Sequence, residues 1–286
     1  MSWQELDARL AAAPGTVSGY VSRPGRPPAY SRLADVPHYA ASTMKVAVLA
    51  ALYRAAEAGT LDLDAPVPVR NDFTSAQPGA PRFACNHGYD NDDAVWERLD
   101  RTASLRWLAH RMIVRSSNLA TNIVLEHVGR EAVAQAWRLG GARNSVTGRG
   151  IEDFAAREAG ITNLVTAADL ATLLGTLTLG AESPGPLASP ASCAAMLDVL
   201  AAQEHREDLA AGLPVGTRIA HKNGWVQGVR HGAGVVFPAD APAYTVAFCT
   251  TTDLADGGAS GADPDDDACR LIAAASATIW AARHHL

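Results

Sequence analysis

Three short clusters in this 286-residue chain combine residue types that could form an activated nucleophile. In Ser42-Thr43-Met44-Lys45 an amine follows a hydroxyl after three positions, which puts both on one face of a helix. Serine alone is a poor nucleophile and needs a base. A partly desolvated lysine near another cation loses its proton easily enough to serve, and a helix N-terminus adds polarised N–H groups around the serine oxygen. In Ser116-Ser117-Asn118 a hydroxyl can relay a proton and a carboxamide can grip an amide. In His221-Lys222-Asn223-Gly224-Trp225 a cation and a small polar residue precede a glycine that lets a substrate approach a strand edge. The first two clusters also have a plainer reading. Ser-x-x-Lys describes many capped helices with a solvated lysine, and Ser116-Ser117-Asn118 describes an ordinary cap.

Lysine usage favours the chemical reading. Lysine and arginine together number 24, yet only Lys45 and Lys222 are lysine. A chain that uses arginine wherever a surface cation will do keeps lysine where a compact ammonium must give up its proton. Both survivors fall inside the clusters above.

Bulk properties narrow the class. Hydrophobic residues make up 48% and charged residues 19%, enough for a large core. The formal net charge is -6 and no basic run could neutralise a row of phosphates, so nucleic acid is not an expected partner. No apolar run reaches the ~20 residues of a membrane span. Cys85, Cys193, Cys249 and Cys269 are far apart and read as free thiols. Cys85, His87 and Asp90 share a loop, but no fourth ligand follows at a zinc spacing, so a plain polar loop is expected there rather than a metal site. The N-terminal stretch is amphipathic and lacks the pattern of a secretory leader. A cytoplasmic location is expected, a processed secreted form being the alternative.

The elements that must position these groups follow from periodicity. A helix over 3–12 leads into strands Thr16–Ser22 and Ala29–Leu33 around a Pro/Gly turn. Met44, Val48, Leu49, Leu52 and Tyr53 recur at helical spacing up to Gly59, which places Ser42 at a helix N-terminus. Asp64 to Asp100 is an irregular excursion of a kind that borders sites. Helices are expected at Leu105–Met112, Asn118–Val128, Glu131–Leu139, Ala167–Leu174 and 190–203, with Thr166 and Asp169 as a capping box. Strands Thr217–Asn223, Gly232–Phe237 and Tyr244–Thr251 precede a helix over Asp267–Arg283. The fold class is α+β, with a sheet lobe from residues 1–38 and 210–286 and a mainly helical lobe from 39–209.

In this order the clusters resemble the class A β-lactamases and penicillin-binding DD-peptidases, whose pattern is Ser-x-x-Lys, then Ser-Asp-Asn, then Lys-Thr-Gly. The resemblance spans nearly the whole chain, which it implies is one catalytic domain with a five-stranded antiparallel sheet built from both termini, flanking helices and an inserted all-α lobe. It implies that Ser42 is acylated, Lys45 accepts its proton and Ser116 passes a proton to the leaving group. Asn118 would hold the substrate amide, and Lys222 would tune Ser116 and attract a substrate carboxylate. The oxyanion hole would be the N–H groups of Ser42 and Trp225. The substrate would be a small acyl compound, a β-lactam or a related amide or ester, and no metal or organic cofactor would be needed.

Departures from the pattern bear on that substrate. Ser117 replaces the family's Asp, and Asn223, beside Gly224, replaces its Thr or Ser. Arg230 could supply a carboxylate-binding guanidinium or be a solvated strand-end charge. Glu152 lies where the family places the base that aims water at the acyl-enzyme, but Ala156 stands where Asn is expected four positions later. Arg149 and Asp153 could instead form a structural ion pair there. The alternatives are a cytoplasmic amidase, esterase or acyl-transfer enzyme of natural-product metabolism, and a non-catalytic sensor that keeps a long-lived acyl adduct.

Overall fold

The N-terminal helix α1 (Trp3–Ala12) delivers the chain to strand β1 (Thr16–Ser22), which turns back as β2 (Pro28–Arg32). The computed structural model describes residues 3–257 and 266–286. A two-residue strand, β3 (His38–Tyr39), leads to a 3-10 turn over Ala41–Met44 and then to α2 (Lys45–Glu57). The excursion that follows contains β4 (Pro66–Pro68) and α3 (Asp93–Trp96), and β4 pairs with β5 (Thr102–Ser104). Helices α4 (Leu105–Val114), α5 (Asn118–Val128) and α6 (Arg130–Leu139) continue the block. Next come β6 (Val146–Thr147), α7 (Phe154–Glu158), β7 (Asn163–Val165), α8 (Ala167–Glu182) and α9 (Pro190–Ala201). Three long strands, β8 (Arg218–Val226), β9 (Val229–Phe237) and β10 (Tyr244–Thr251), precede the last helix, α10 (Asp267–Ala281).

The main sheet runs β2-β1-β10-β9-β8, antiparallel throughout, so strands from both ends of the chain close on each other and β8 forms an edge. Residue size separates its faces. Small side chains, Ala220, Ala233 and Ala247, face the helical block and let it approach closely. Larger ones, Ile219, Val236, Val246 and Phe248, join Leu6 and Leu10 of α1 and Ile272 and Ile279 of α10 in a second cluster. Helix α2 is buried all round, from Lys45 to Tyr53, as befits the central helix of the block.

Three expectations need correcting. Ser42 is not in an α-helix but in the 3-10 turn before it, because Ala41 adopts φ 44° and Ala40 is tied by its N–H to Asn163 O at 3.0 Å. Helix α8 runs beyond Leu174 to Glu182. Its capping box is half formed: Thr166 Oγ1 accepts the Asp169 N–H at 3.1 Å. The Asp169 carboxylate does not reach back but accepts the N–H groups of Arg143 and Asn144, each at 2.8 Å. No helix among the described residues is long and apolar enough to cross a membrane.

Candidate active site

The two lysines are the most buried cations of the chain, each 0% exposed. Lys45 Nζ, on the first turn of α2, lies 2.8 Å from Ser116 O, 3.1 Å from Asn118 Oδ1 and 3.3 Å from Ser116 Oγ. A neutral amine has two N–H donors and one lone pair. Donation to Ser116 O and Asn118 Oδ1 leaves the lone pair to receive a proton. Burial pushes the Lys45 ammonium down to about 7, while the Asp90 charge opposes that fall. Ser42 is the one partly exposed residue of its turn, and it lines a cleft of about 770 Å³ together with Asn118, Glu152 and Trp225.

Edge strand β8 presses on this turn. A Cβ at Gly224 would stand 2.6 Å from the Ser42 amide nitrogen and 3.0 Å from that of Thr43, so only glycine allows the approach. It brings the Trp225 end of the strand beside Ser42, the juxtaposition an oxyanion hole requires. Lys222, two residues earlier, points to the same face. Burial and the neighbouring Lys45 charge hold its ammonium well below the ordinary lysine value.

Ser116 and Asn118 join α4 to α5. Ser116 has φ 59°, left-handed and rare for a side chain with a Cβ, and that kink turns its carbonyl and hydroxyl to Lys45. Ser117 caps α5 by accepting the Ala120 N–H at 3.1 Å. The carboxylate missing from the second cluster comes instead from the excursion: Asp90 accepts the Leu119 N–H at 2.8 Å and the Ser117 hydroxyl at 3.2 Å. Asn118 Nδ2 donates to Tyr89 O at 2.9 Å. The sequence reading missed Asp90, since nothing in its acidic, loop-like surroundings marks it. Cys85, His87 and Asp90 do not converge on one point. Cys85 accepts from Asn122, His87 pairs with Asp93, and among the described residues no group of three His, Cys, Asp or Glu side chains could hold a metal.

Glu152 stands on the far wall at φ 64°. One carboxylate oxygen accepts the Asn86 N–H at 2.8 Å, and the other is buried with no hydrogen-bond partner. Burial, aided by the Asp90 charge, raises its pKa above the usual carboxylate value. Asn122 fixes the residue before it, accepting the Ile151 N–H at 2.8 Å and donating to Ile151 O at 2.9 Å. Asn122 was also missed, though it lies one helical turn after Asn118 on the same face of α5.

Arg149 and Asp153 do not pair. Arg149 donates to Gly150 O and Tyr39 Oη, whereas Asp153 accepts from Ser75 Oγ and Ala76 N, both at 2.7 Å, pinning the excursion to α7. Nor do Asn223 and Arg230 line the cleft. The Asn223 side chain is buried between Lys222 Nζ and His205 O. Arg230 is 3% exposed, donates to Cys269 Sγ and stacks 5.1 Å from the Trp225 ring centre. The solvated-charge alternative for Arg230 fails on the same burial.

An antiparallel sheet, a helical block and a buried serine–lysine cluster at their seam define a serine hydrolase of β-lactamase architecture. The chain belongs to the Beta-lactamase enzyme family, which it matches over residues 2–282. Among solved structures it is similar to PBP-A at 23% identity and TM-score 0.78, over 99% of this chain and 96% of that one. A mutant of PBP-A, solved as an acyl-enzyme complex with penicillin G, gives 24% identity and TM-score 0.75, over 99% and 96%. A class A β-lactamase from Mycobacterium abscessus gives 17% and 0.78, over 99% of both chains. No curated protein sequence matches the chain.

Proposed function

We propose that the chain is an acyl-enzyme-forming serine hydrolase acting on β-lactams or related amides and esters. The carrying observation is Lys45, buried, held by Ser116 and Asn118, and pushed down to about 7 by its surroundings. In the proposed cycle Ser42 Oγ attacks the acyl carbonyl carbon as its proton passes to Lys45 Nζ. The N–H groups of Ser42 and Trp225 stabilise the oxyanion. Collapse breaks the bond to the leaving nitrogen or oxygen, which takes a proton from Lys45 through Ser116 Oγ. Glu152 then removes a proton from the water that attacks acyl-Ser42, and collapse of the intermediate breaks the ester bond to Ser42, the proton passing from Glu152 back to Ser42 Oγ as the acid is released. The free, buried oxygen of Glu152 and its raised pKa support the last role.

Incubation with a fluorescent penicillin, followed by peptide mass spectrometry, tests the reading. A single adduct on Ser42, lost in Ser42→Ala, is expected, and full turnover by Ser42→Ala would refute it. Glu152→Gln should still acylate but release the acid about 10²-fold more slowly or worse, so that adduct accumulates. Deacylation at the wild-type rate in this variant would remove Glu152 from the cycle. Stoichiometric labelling of the wild type without turnover would favour a sensor.

A further inference from the structure

In the proposed cycle the leaving atom faces Ser116, which is fully buried and does not line the cleft. The acyl arm of the substrate therefore takes the open space of about 770 Å³ beside Ser42. Much of its wall comes from α7 and from the turn between β8 and β9, so these two elements set what the arm can be.

Helix α7 presents Phe154 and Arg157 to the cleft, and a spacing of three puts both on one helical face. Phe154 is 52% exposed, and Val226 at the β8 end of the same cleft is 37% exposed. Apolar surface left open inside a cleft suits an apolar part of a ligand. Arg157 is exposed, and among the described residues nothing accepts a hydrogen bond from its guanidinium. The other cleft-lining cation, Arg149, is buried and already donates to Gly150 O and Tyr39 Oη. The pair stands on a fixed element. Asp153 caps α7 by accepting the Ala156 N–H at 3.2 Å and ties it to the excursion through Ser75 Oγ and Ala76 N, both at 2.7 Å.

Charge decides where along the arm an anion fits. Asp90 and Glu152 also line the cleft, and Glu152 addresses acyl-Ser42 in the proposed cycle, so an anion at the reacting carbon meets like charge. Arg157 lies at the end of α7 that is farther along the chain from Glu152, one turn beyond Phe154. Apolar surface followed by a cation is the order the arm encounters.

Resting on the serine hydrolase reading, we propose that the acyl group of the preferred substrate is an apolar stem ending in a carboxylate, the stem lying on Phe154 and the carboxylate paired with Arg157. Arg157 is then a specificity-determining residue that touches the substrate away from the reacting atoms.

Two penicillins built on one nucleus test this: one carries an adipoyl arm ending in a carboxylate, and the other has the same arm ending in a primary amide. They match in shape and differ by one charge. Ser42 acylation is followed by intact-protein mass spectrometry. At low salt the acid-ended arm should acylate about threefold faster or more, and its lead should shrink as salt rises. Arg157→Gln should bring the two rates together, and Arg157→Glu should reverse their order. Because the side chain is exposed, these substitutions leave the core packing untouched. Equal or reversed rates in the wild type, or a lead that persists in Arg157→Gln, overturn the assignment and leave Ser42 acylation standing. Absence of Ser42 labelling by both penicillins and by neutral aryl esters overturns the hydrolase reading and this one with it.

Discussion

At the residue scale the central quantity is the proton on Lys45. Its ammonium is pushed down to about 7, so the neutral amine that can accept the Ser42 proton grows as pH rises through that value. The Ser42 acylation rate should climb between about pH 5 and 8 and then level, and Lys45→Ala should lower the plateau by about 10²- to 10⁴-fold. Asp90 holds the negative charge that favours the ammonium. Asp90→Asn should therefore move the midpoint of the profile to lower pH. A midpoint that stays or rises would show that Asp90 acts only through its hydrogen bonds to Ser117 and Leu119. Stopped acylation assays across pH, read by intact mass, measure the wild type and both variants on one scale. The lysine pair was legible in the sequence because so few lysines exist. The Asp90 contact was not, because 27 residues of chain separate it from the Ser117 hydroxyl it accepts.

At the element scale the site depends on two packed junctions. The first is β8 against the 3-10 turn, where Gly224→Ala would drive a methyl to 2.6 Å from the Ser42 nitrogen. Strand or turn must shift, so acylation should fall by about 10²-fold or more while stability drops by only about 1–3 kcal/mol. Urea unfolding run beside the acylation assay separates the two effects, and near-normal acylation by this variant would show that the turn yields freely. The second junction is α7 against the excursion, where Asp153 accepts from Ser75, Ala76 and Ala156. Asp153→Ala leaves those buried donors unmet and should cost about 2–4 kcal/mol. Regular elements were the readable part: β1, β10, α1 and α5 fall where alternation and helical period put them. The turn that carries Ser42 is 3-10, where the helical spacing predicts the start of an α-helix. Ser-x-x-Lys spacing fits a 3-10 turn running into a helix as well as a continuous helix. The left-handed backbone at Ala41, Ser116 and Glu152 leaves no mark in a sequence without glycine there.

At the scale of the whole molecule, the sheet that brings both termini together also binds the lead-in to Ser42, and buried neutral histidines do the binding. The topology was legible, because strand-like runs cluster at the two ends of the chain with helical periodicity between them. The three-stranded sheet β3-β7-β6 was not, since strands of two or three residues have no alternation to read. His231 Nδ1 of β9 lies 3.0 Å from Thr250 N and 2.9 Å from Arg230 O; with Nδ1 taken as acceptor of the Thr250 N–H, the proton is on Nε2, which donates to Tyr39 O at 2.8 Å. The Ser18 hydroxyl donates to Leu33 O, so it accepts from His38 Nε2 at 2.9 Å. His38 Nδ1 then accepts from the Thr251 hydroxyl at 2.8 Å. Burial lowers both rings from 6.5 to about 4. Between those values the unfolded chain binds protons that the folded chain refuses. This stability is therefore fully present above about pH 6.5 and is lost as pH falls toward 4. For His231, which is wholly buried, the loss amounts to roughly 2–3 kcal/mol. Urea unfolding at pH 7 and pH 4.5 should show the wild type losing more stability on acidification than His231→Gln, whose amide can still donate to Tyr39 O. Equal losses in the two proteins would mean that His231 is already protonated in the folded state, and that the strand leading to Ser42 is held by a charge rather than by a neutral ring.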